Sequence, residues 1–183
     1  MKISFDLDNV LFDMEAVYKK ACIDCNIKFY RPKLWDVYQC YPKEVADRMK
    51  YLFGQDILYT MPIINKKFVK IINDLMKEHE IYFVSQRKIK QPEKSYQQII
   101  NSGIKCDFNQ IYDKDLPKFK VLQELNVNLH FDDSPVVVED CIKYNIPIVM
   151  ISNYKTLYNH YLRDKVEYYK NIQEALKTKE IIR

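Results

Sequence analysis

The sequence predicts an α/β protein: a Rossmann-like parallel sheet with helices on both faces and a small helical insertion. Three observations carry that expectation. Short apolar runs recur along the 183 residues, and several are nearly continuous rather than alternating, as strands covered on both faces are. Helical patterns separate most consecutive runs, which is the rhythm of a parallel sheet. The interval between the first two runs holds more helical sequence than a crossover needs.

In chain order, "KISF" at 2–5 is the first strand, followed by helical patterns at 14–25, about 42–53 and 65–79. "IYFVS" at 81–85 is the second strand and a helix is expected over 92–103. "FNQIY" at 108–112 reads as the third strand, with a helix over 118–126. "NLHF" at 128–131, a helix over 135–145, "IPIVMIS" at 146–152 and a last helical pattern at 171–181 complete the series. Pro117 and Pro135 stand at helix starts, with Ser134 placed to cap the second. The surplus, roughly 28–64, reads as a small helical cap over one end of a core formed by 1–27 and 65–183.

Composition narrows the function classes. A hydrophobic content of 48% with 30% charged residues is that of a folded globular chain. A mild, dispersed net charge of +4 argues against a stable nucleic-acid complex and leaves room for an anionic small molecule. No signal-peptide pattern and no apolar stretch near the ~20 residues of a membrane helix occur, so a cytoplasmic protein with no membrane partner is expected. Five cysteines fit free thiols better than a disulfide framework. Two glycines among abundant Lys, Asn, Ile and Tyr fit an A/T-rich genome and carry no functional reading.

The chemistry gathers at the C-terminal ends of the expected strands, where parallel sheets build their sites. The first strand delivers Asp6 and Asp8, and the second delivers Ser85. Lys118 opens the next helix but one, and the fourth strand delivers Asp132 and Asp133. Each alone has an ordinary explanation: a turn aspartate, a capping serine, a solvated lysine. Together they do not. Two carboxylates ~4 Å apart repel by about 4 kcal/mol at an effective dielectric near 20, a large fraction of a ~5–15 kcal/mol stability. Such a cluster binds a cation, holds a proton, or both. All-oxygen donors favour Mg²⁺ over zinc, and a cation among carboxylates implies an anionic ligand, most often phosphate.

"FDLDNVLFD", Ser85, Lys118 and "FDDSP" resemble, in order and over nearly the whole chain, the four motifs of the haloacid dehalogenase superfamily. Asn9 departs from the glycine of many members, a small departure because Asn tolerates a left-handed turn. Within the superfamily, the insertion, "VSQRK" and "FDDSPVVVEDCIKYNIPIVMIS" look most like the 5′(3′)-deoxyribonucleotidase-type branch and its relatives. The resemblance implies that Asp6 is a nucleophile forming an aspartyl-phosphate and Asp8 the acid and base. It further implies Mg²⁺ held by Asp6, the Asp8 backbone carbonyl, Asp132 and Asp133, with Ser85 and Lys118 on the phosphoryl group. Lys120 competes with Lys118, which is preferred because it opens the helix. Dehalogenases generally lack the second aspartate, so Asp8 favours phosphate-ester hydrolysis. The expected substrate is a small phosphorylated metabolite, with a nucleoside monophosphate leading. A sugar phosphate, another metabolite, or a non-catalytic Mg²⁺ and phosphate-binding module remain alternatives. A receiver domain is disfavoured, because the second acidic pair lies beyond both Ser85 and Lys118.

Other features are weighed against blander readings. Cys22 and Cys25 fall on a helical pattern with no second pair and read as packing. His130 shares a strand face with Asp132 and reads as a packed histidine. Phe29, Tyr30, Trp35, Tyr38 and Tyr41 read mainly as the core of the insertion, with Trp35 and Tyr38 candidates to line the substrate cleft. In "QRKIK", Arg87 or Lys88 is a candidate for attracting an anionic substrate, with a solvated surface run the alternative.

Overall fold

The computed structural model describes residues 1–87, 91–113, 116–152, 160–162 and 164–182. Among the described residues, six strands form one parallel sheet: β1 (Lys2–Phe5), β2 (Glu80–Ser85), β3 (Ile111–Asp113), β4 (Leu129–Asp132), β5 (Ile148–Ile151) and β6 (Glu167–Tyr169). Their order is β3-β2-β1-β4-β5-β6, so the winding reverses between β1 and β4. Seven α-helices of the described residues accompany them: α1 (Glu15–Asp24), α2 (Lys43–Leu52), α3 (Lys66–Leu75), α4 (Pro92–Asn101), α5 (Lys118–Glu124), α6 (Pro135–Lys143) and α7 (Ile172–Thr178). Among the described residues, no helix is long and apolar enough to cross a membrane.

Strand alternation sends the side chains of Ile3, Phe5, Phe83, Phe131 and Val149 to one face, where α3, α4 and α7 cover them. Phe5 sits in register with Phe131 and stacks on it at 5.0 Å. On the other face, Val84 packs against Val121 and Leu122 of α5 and Val137 and Cys141 of α6. Ser4, Asp6, His130 and Asp132 alternate toward this same second face. Register therefore sets Ser4 beside His130 and carries Asp6 to the level of Asp132, a level fixed by the bond from the Asp6 N–H to the Phe131 carbonyl (2.9 Å).

Two expected elements differ from the reading. "FNQIY" begins as a 3-10 turn over Phe108–Gln110, because Gln110 Oε1 accepts from the Asp107 N–H at 2.7 Å and folds the chain before β3 begins. β6 has no counterpart in the reading, since three residues of mixed polarity give no period to detect.

After β1 the chain turns sharply through Asn9 (φ 60°). Phe12 pairs with Ile63, the Asp13 N–H donates to the Pro62 carbonyl (2.9 Å) and the Ile64 N–H to the Leu11 carbonyl (2.8 Å). Outgoing and returning chain are thus fastened side by side. Between them α1 packs on α2, with Val17, Tyr18, Ala21 and Cys22 buried on one and Val45, Ala46, Met49 and Leu52 on the other. Arg48 of α2 also pairs with Asp24 of α1 at 2.6 Å.

Most helices end alike. A residue of positive φ follows the helix by two positions: Asn26, Gly103, Asn126, Asn145 and Glu180 after α1, α4, α5, α6 and α7. Next comes Ile27, Ile104, Val127, Ile146 or Ile181. At four of these ends the apolar residue's N–H reaches back to a carbonyl of the last turn (Ile27 to Cys22, Val127 to Leu122, Ile146 to Cys141, Ile181 to Leu176). This is the Schellman arrangement, which satisfies carbonyls the helix leaves open.

Candidate active site

The site lies where the strand order reverses, at the C-terminal ends of β1 and β4, the crevice in which open parallel sheets bind ligands. Asp6, Asp132 and Asp133 are all buried and offer one carboxylate oxygen each, within 4.8 Å of one another. Lys118, at the first turn of α5, donates to Asp6 Oδ1 and Asp132 Oδ2, both at 2.6 Å. Lys120 lies exposed further round that turn. Ser85 ends β2 and lines a cavity of about 310 Å³ together with Asp6, Asp8, Lys118 and Asp132.

Three carboxylates face one ammonium, and the surplus negative charge shows in their protonation. Burial raises the Asp6 carboxyl from 3.8 to about 7 despite the pull of Lys118, with Asp132 and Asp8 adding to the rise. Burial and the charges of Asp6 and Asp132 push Asp133 well above the usual carboxylate range. Asp132 goes the other way. Burial alone would raise it, but the Lys118 charge and the His130 hydrogen bond hold it at about 2. Burial opposes the charge on Lys118, and its two carboxylate partners outweigh that and hold it ionised. Such a cluster, all oxygen donors and short of positive charge, has the chemistry that a hard divalent cation requires.

Asn9 explains why Asp133 stays in place. Its left-handed turn brings Nδ2 to Asp133 Oδ2 at 3.0 Å, tying the β1 loop to the β4 loop. Ser134 holds the N-cap position of α6 without a capping bond from its hydroxyl. Its backbone N–H instead donates to Asp132 Oδ1 at 2.8 Å.

Asp8 is gripped from the side. Arg87 Nη2 and Nε donate to its two oxygens at 2.6 and 3.1 Å. The guanidinium is buried, bonded to Gln98 and Ser95 of α4, and lies 4.8 Å from the centre of the Tyr59 ring. Arg87 is thus no part of a solvated run; Lys88 lies outside the described residues. Nothing in "QRKIK" marks this clamp, because the partners that bury Arg87 come from distant segments.

A second cavity of about 530 Å³ adjoins the first and shares Asp8, Trp35, Gln86 and Ser134 with it. Its walls include Met14, Tyr18, Trp35, Val37 and Phe53, from α1, the segment that follows it and the end of α2. Trp35 is 40% exposed and borders both cavities. Tyr38 belongs elsewhere: its hydroxyl donates to Asp47 at 2.6 Å and Lys50 covers its ring, so it lines neither cavity. Tyr41 is buried beneath Tyr30, and Phe29 packs at the edge of the core. Cys22 is buried in α1 and Cys25 caps that helix, with its thiol against the Glu44 carbonyl.

No family model matches the chain. It is 26% identical over 176 residues to a Bacillus cereus protein named "Putative nucleotidase", covering 88% of this chain and 90% of that one. A haloacid dehalogenase-like hydrolase structure from Streptococcus pneumoniae superposes with a TM-score of 0.65 at 14% identity, over 97% of both chains. The chain has the haloacid dehalogenase fold. A second example of that fold, a "putative HAD-hydrolase" of Bacillus subtilis "bound to magnesium", gives a TM-score of 0.58 at 13% identity over 97% of both chains. Asp6, Asp8, Ser85, Lys118, Asp132 and Asp133 converge on one crevice, while Tyr38 stays outside it.

Proposed function

We propose that the protein is a Mg²⁺-dependent phosphomonoester hydrolase acting through an aspartyl-phosphate on Asp6, with a nucleoside monophosphate as its best substrate. One observation carries the reaction class. A buried aspartate is held by an ammonium and flanked by two further buried carboxylates, with a fourth two residues along. Asp6, Asp132, Asp133 and the Asp8 carbonyl would hold the cation. When bound, Mg²⁺ supplies charge neutralisation and alignment of the phosphoryl group.

The chain's residues divide the work. Asp6 attacks phosphorus, the bond to the leaving alkoxide breaks, and Asp8 gives that oxygen a proton. Water then attacks the phosphoryl group, Asp8 takes its proton back, and the bond to Asp6 breaks to release phosphate. Lys118 offsets the negative charge that Asp6 and the phosphoryl group bring together, and the Ser85 hydroxyl donates to a phosphoryl oxygen. Arg87, donating to both oxygens of Asp8, sets the orientation of that carboxylate beside Asp6.

The inserted helices act as a cap that supplies the leaving-group pocket. Its aromatic walls at Trp35, Tyr18 and Phe53, and the name of the Bacillus cereus relative, support a nucleoside there. The test is phosphate release from a panel of nucleoside monophosphates and sugar phosphates, with Mg²⁺, with chelator, and with Asp6→Asn. Release that needs both Mg²⁺ and Asp6 and favours nucleotides is expected. Release from sugar phosphates alone would overturn the substrate, and release by Asp6→Asn at the wild-type rate would overturn the mechanism.

A further inference from the structure

His130 is fully buried and takes no part in the reaction set out above. We propose that His130 is a positioning residue for the cation site: its Nε2–H fixes the Asp132 carboxylate so that Oδ1 faces the cation, and Ser4 holds the imidazole in the tautomer this requires. The inference rests on the reading of the acidic cluster as a Mg²⁺ site.

The geometry starts from strand alternation. Ser4 and His130 are register partners on β1 and β4, one pleat below Asp6 and Asp132 on the same face. A sheet buried on both faces normally fills such positions with aliphatic side chains. Here a hydroxyl and an imidazole sit side by side at 0% exposure. Burying that pair has a desolvation cost that two aliphatic residues of similar size would avoid. Every ring nitrogen is nonetheless bonded: Nδ1 to Ser4 Oγ at 2.8 Å and Nε2 to Asp132 Oδ2 at 2.9 Å.

The direction of these bonds follows from their ends. An ionised carboxylate only accepts, so Nε2 carries the hydrogen. Nδ1 of the neutral ring then accepts, and the Ser4 hydroxyl donates to it. Proton placement is therefore defined along Ser4, His130 and Asp132 without reference to solvent.

Counting acceptors on Asp132 shows what the arrangement achieves. A carboxylate oxygen offers about two acceptor positions. Among the described residues, Oδ2 receives Lys118 at 2.6 Å and His130 at 2.9 Å, so both of its positions are used. Among the same residues, Oδ1 receives only the Ser134 N–H at 2.8 Å, which leaves one position for a cation. Lys118 divides its ammonium between Asp132 and Asp6. His130 serves Asp132 alone. Without it, the carboxylate rests on a shared ammonium and one backbone N–H, and it can turn about its own axis. Partners of this kind around a metal ligand typically change metal affinity 10–100-fold.

Two amide substitutions separate positioning from packing. In His130→Gln the amide nitrogen reaches the level of Nε2 and keeps a donor on Asp132. In His130→Asn the amide stops at the level of Nδ1, so the contact with Ser4 survives and the donor to Asp132 is lost. Mg²⁺ alone is titrated into wild type, both variants and Ser4→Ala, and the heat-unfolding midpoint is followed.

Wild type and His130→Gln should half-saturate at similar Mg²⁺ concentrations. His130→Asn should need about 10–100 times more, with Ser4→Ala displaced the same way. Turnover of His130→Asn should recover at saturating Mg²⁺, which a packing defect would not allow. Wild-type Mg²⁺ dependence in a folded His130→Asn overturns the inference while leaving the cation site standing. No Mg²⁺-dependent shift in wild type overturns the cation site and this inference with it. If His130→Asn fails to fold, Ser4→Ala decides, since it removes one hydroxyl, and an unchanged titration there is the overturning result.

Discussion

Asp6 is built to be uncomfortable without a cation, and that discomfort has a sign. Its carboxyl stands at about 7 in the folded protein against an ordinary 3.8, chiefly because it is buried. A group raised on folding binds its proton more tightly in the native state, so stability falls as pH climbs from about 4 to 7. At about 1.4 kcal/mol per tenfold, the loss for Asp6 is on the order of 4 kcal/mol. Asp133 adds to it in the same direction. Asp132, held at about 2, contributes stability that is present above about 4 and fades only in stronger acid. The metal-free protein should therefore unfold in less urea at pH 7.5 than at pH 5, and saturating Mg²⁺ should remove most of that difference. A flat profile without Mg²⁺ would contradict the charge imbalance. At this scale the sequence revealed the acids, because paired aspartates after apolar runs are conspicuous. It named Arg87 and His130 but could not supply their partners, which lie 79 and 126 residues away.

Helix ends show how the element scale was partly legible. Asn126, Asn145 and Glu180 mark stops just beyond α5, α6 and α7, and each is followed by Val or Ile. The sequence reading carried these helices to 126, 145 and 181, whereas they end at Glu124, Lys143 and Thr178. After α5 and α6 the signal was present as Asn before a branched apolar residue, and apolar period alone runs through it; after α7 Glu180 gave no such signal. Glu180 is the least suited of these residues, since its φ of 56° suits Gly or Asn far better. Its side chain is exposed. Glu180→Gly should stabilise the protein by about 0.5–1 kcal/mol, the relieved strain exceeding the added unfolded-state freedom. Urea denaturation measures this, and a loss of stability would mean the Glu180 side chain matters in its own right. The long buried strands β1, β2, β4 and β5 were plain from their apolar content, while the short edges β3 and β6 were blurred or missed, as three residues carry little pattern.

On the scale of the whole molecule, the winding reversal between β1 and β4 brings the two acidic pairs together, and the inserted helices enclose the crevice from above. Trp35 is the single tryptophan and borders both cavities, so it reports on occupancy. A nucleoside monophosphate added to Asp6→Asn with Mg²⁺ should quench its emission, and a sugar phosphate should do so far less. Trp35→Ala should raise KM for the nucleotide about 10-fold, consistent with 1–3 kcal/mol for stacking on a base. Unchanged emission at concentrations that saturate turnover would place the base elsewhere. The parallel sheet and the strand ends that gather the acids were readable from the sequence; the spatial order of the strands and most of the pocket were not, since α1, the following loop and α2 build its walls and no local pattern joins them.

The fastening of residues 11–13 to 62–64 has a consequence for how such a protein changes over generations. Chain departs and returns through one paired point, so everything between is a replaceable module. A different helical segment spliced at that point would meet the same sheet and the same carboxylates. Recognition of the leaving group could then drift while the sheet stays fixed, so long as an aromatic remains where Tyr59 lies against Arg87.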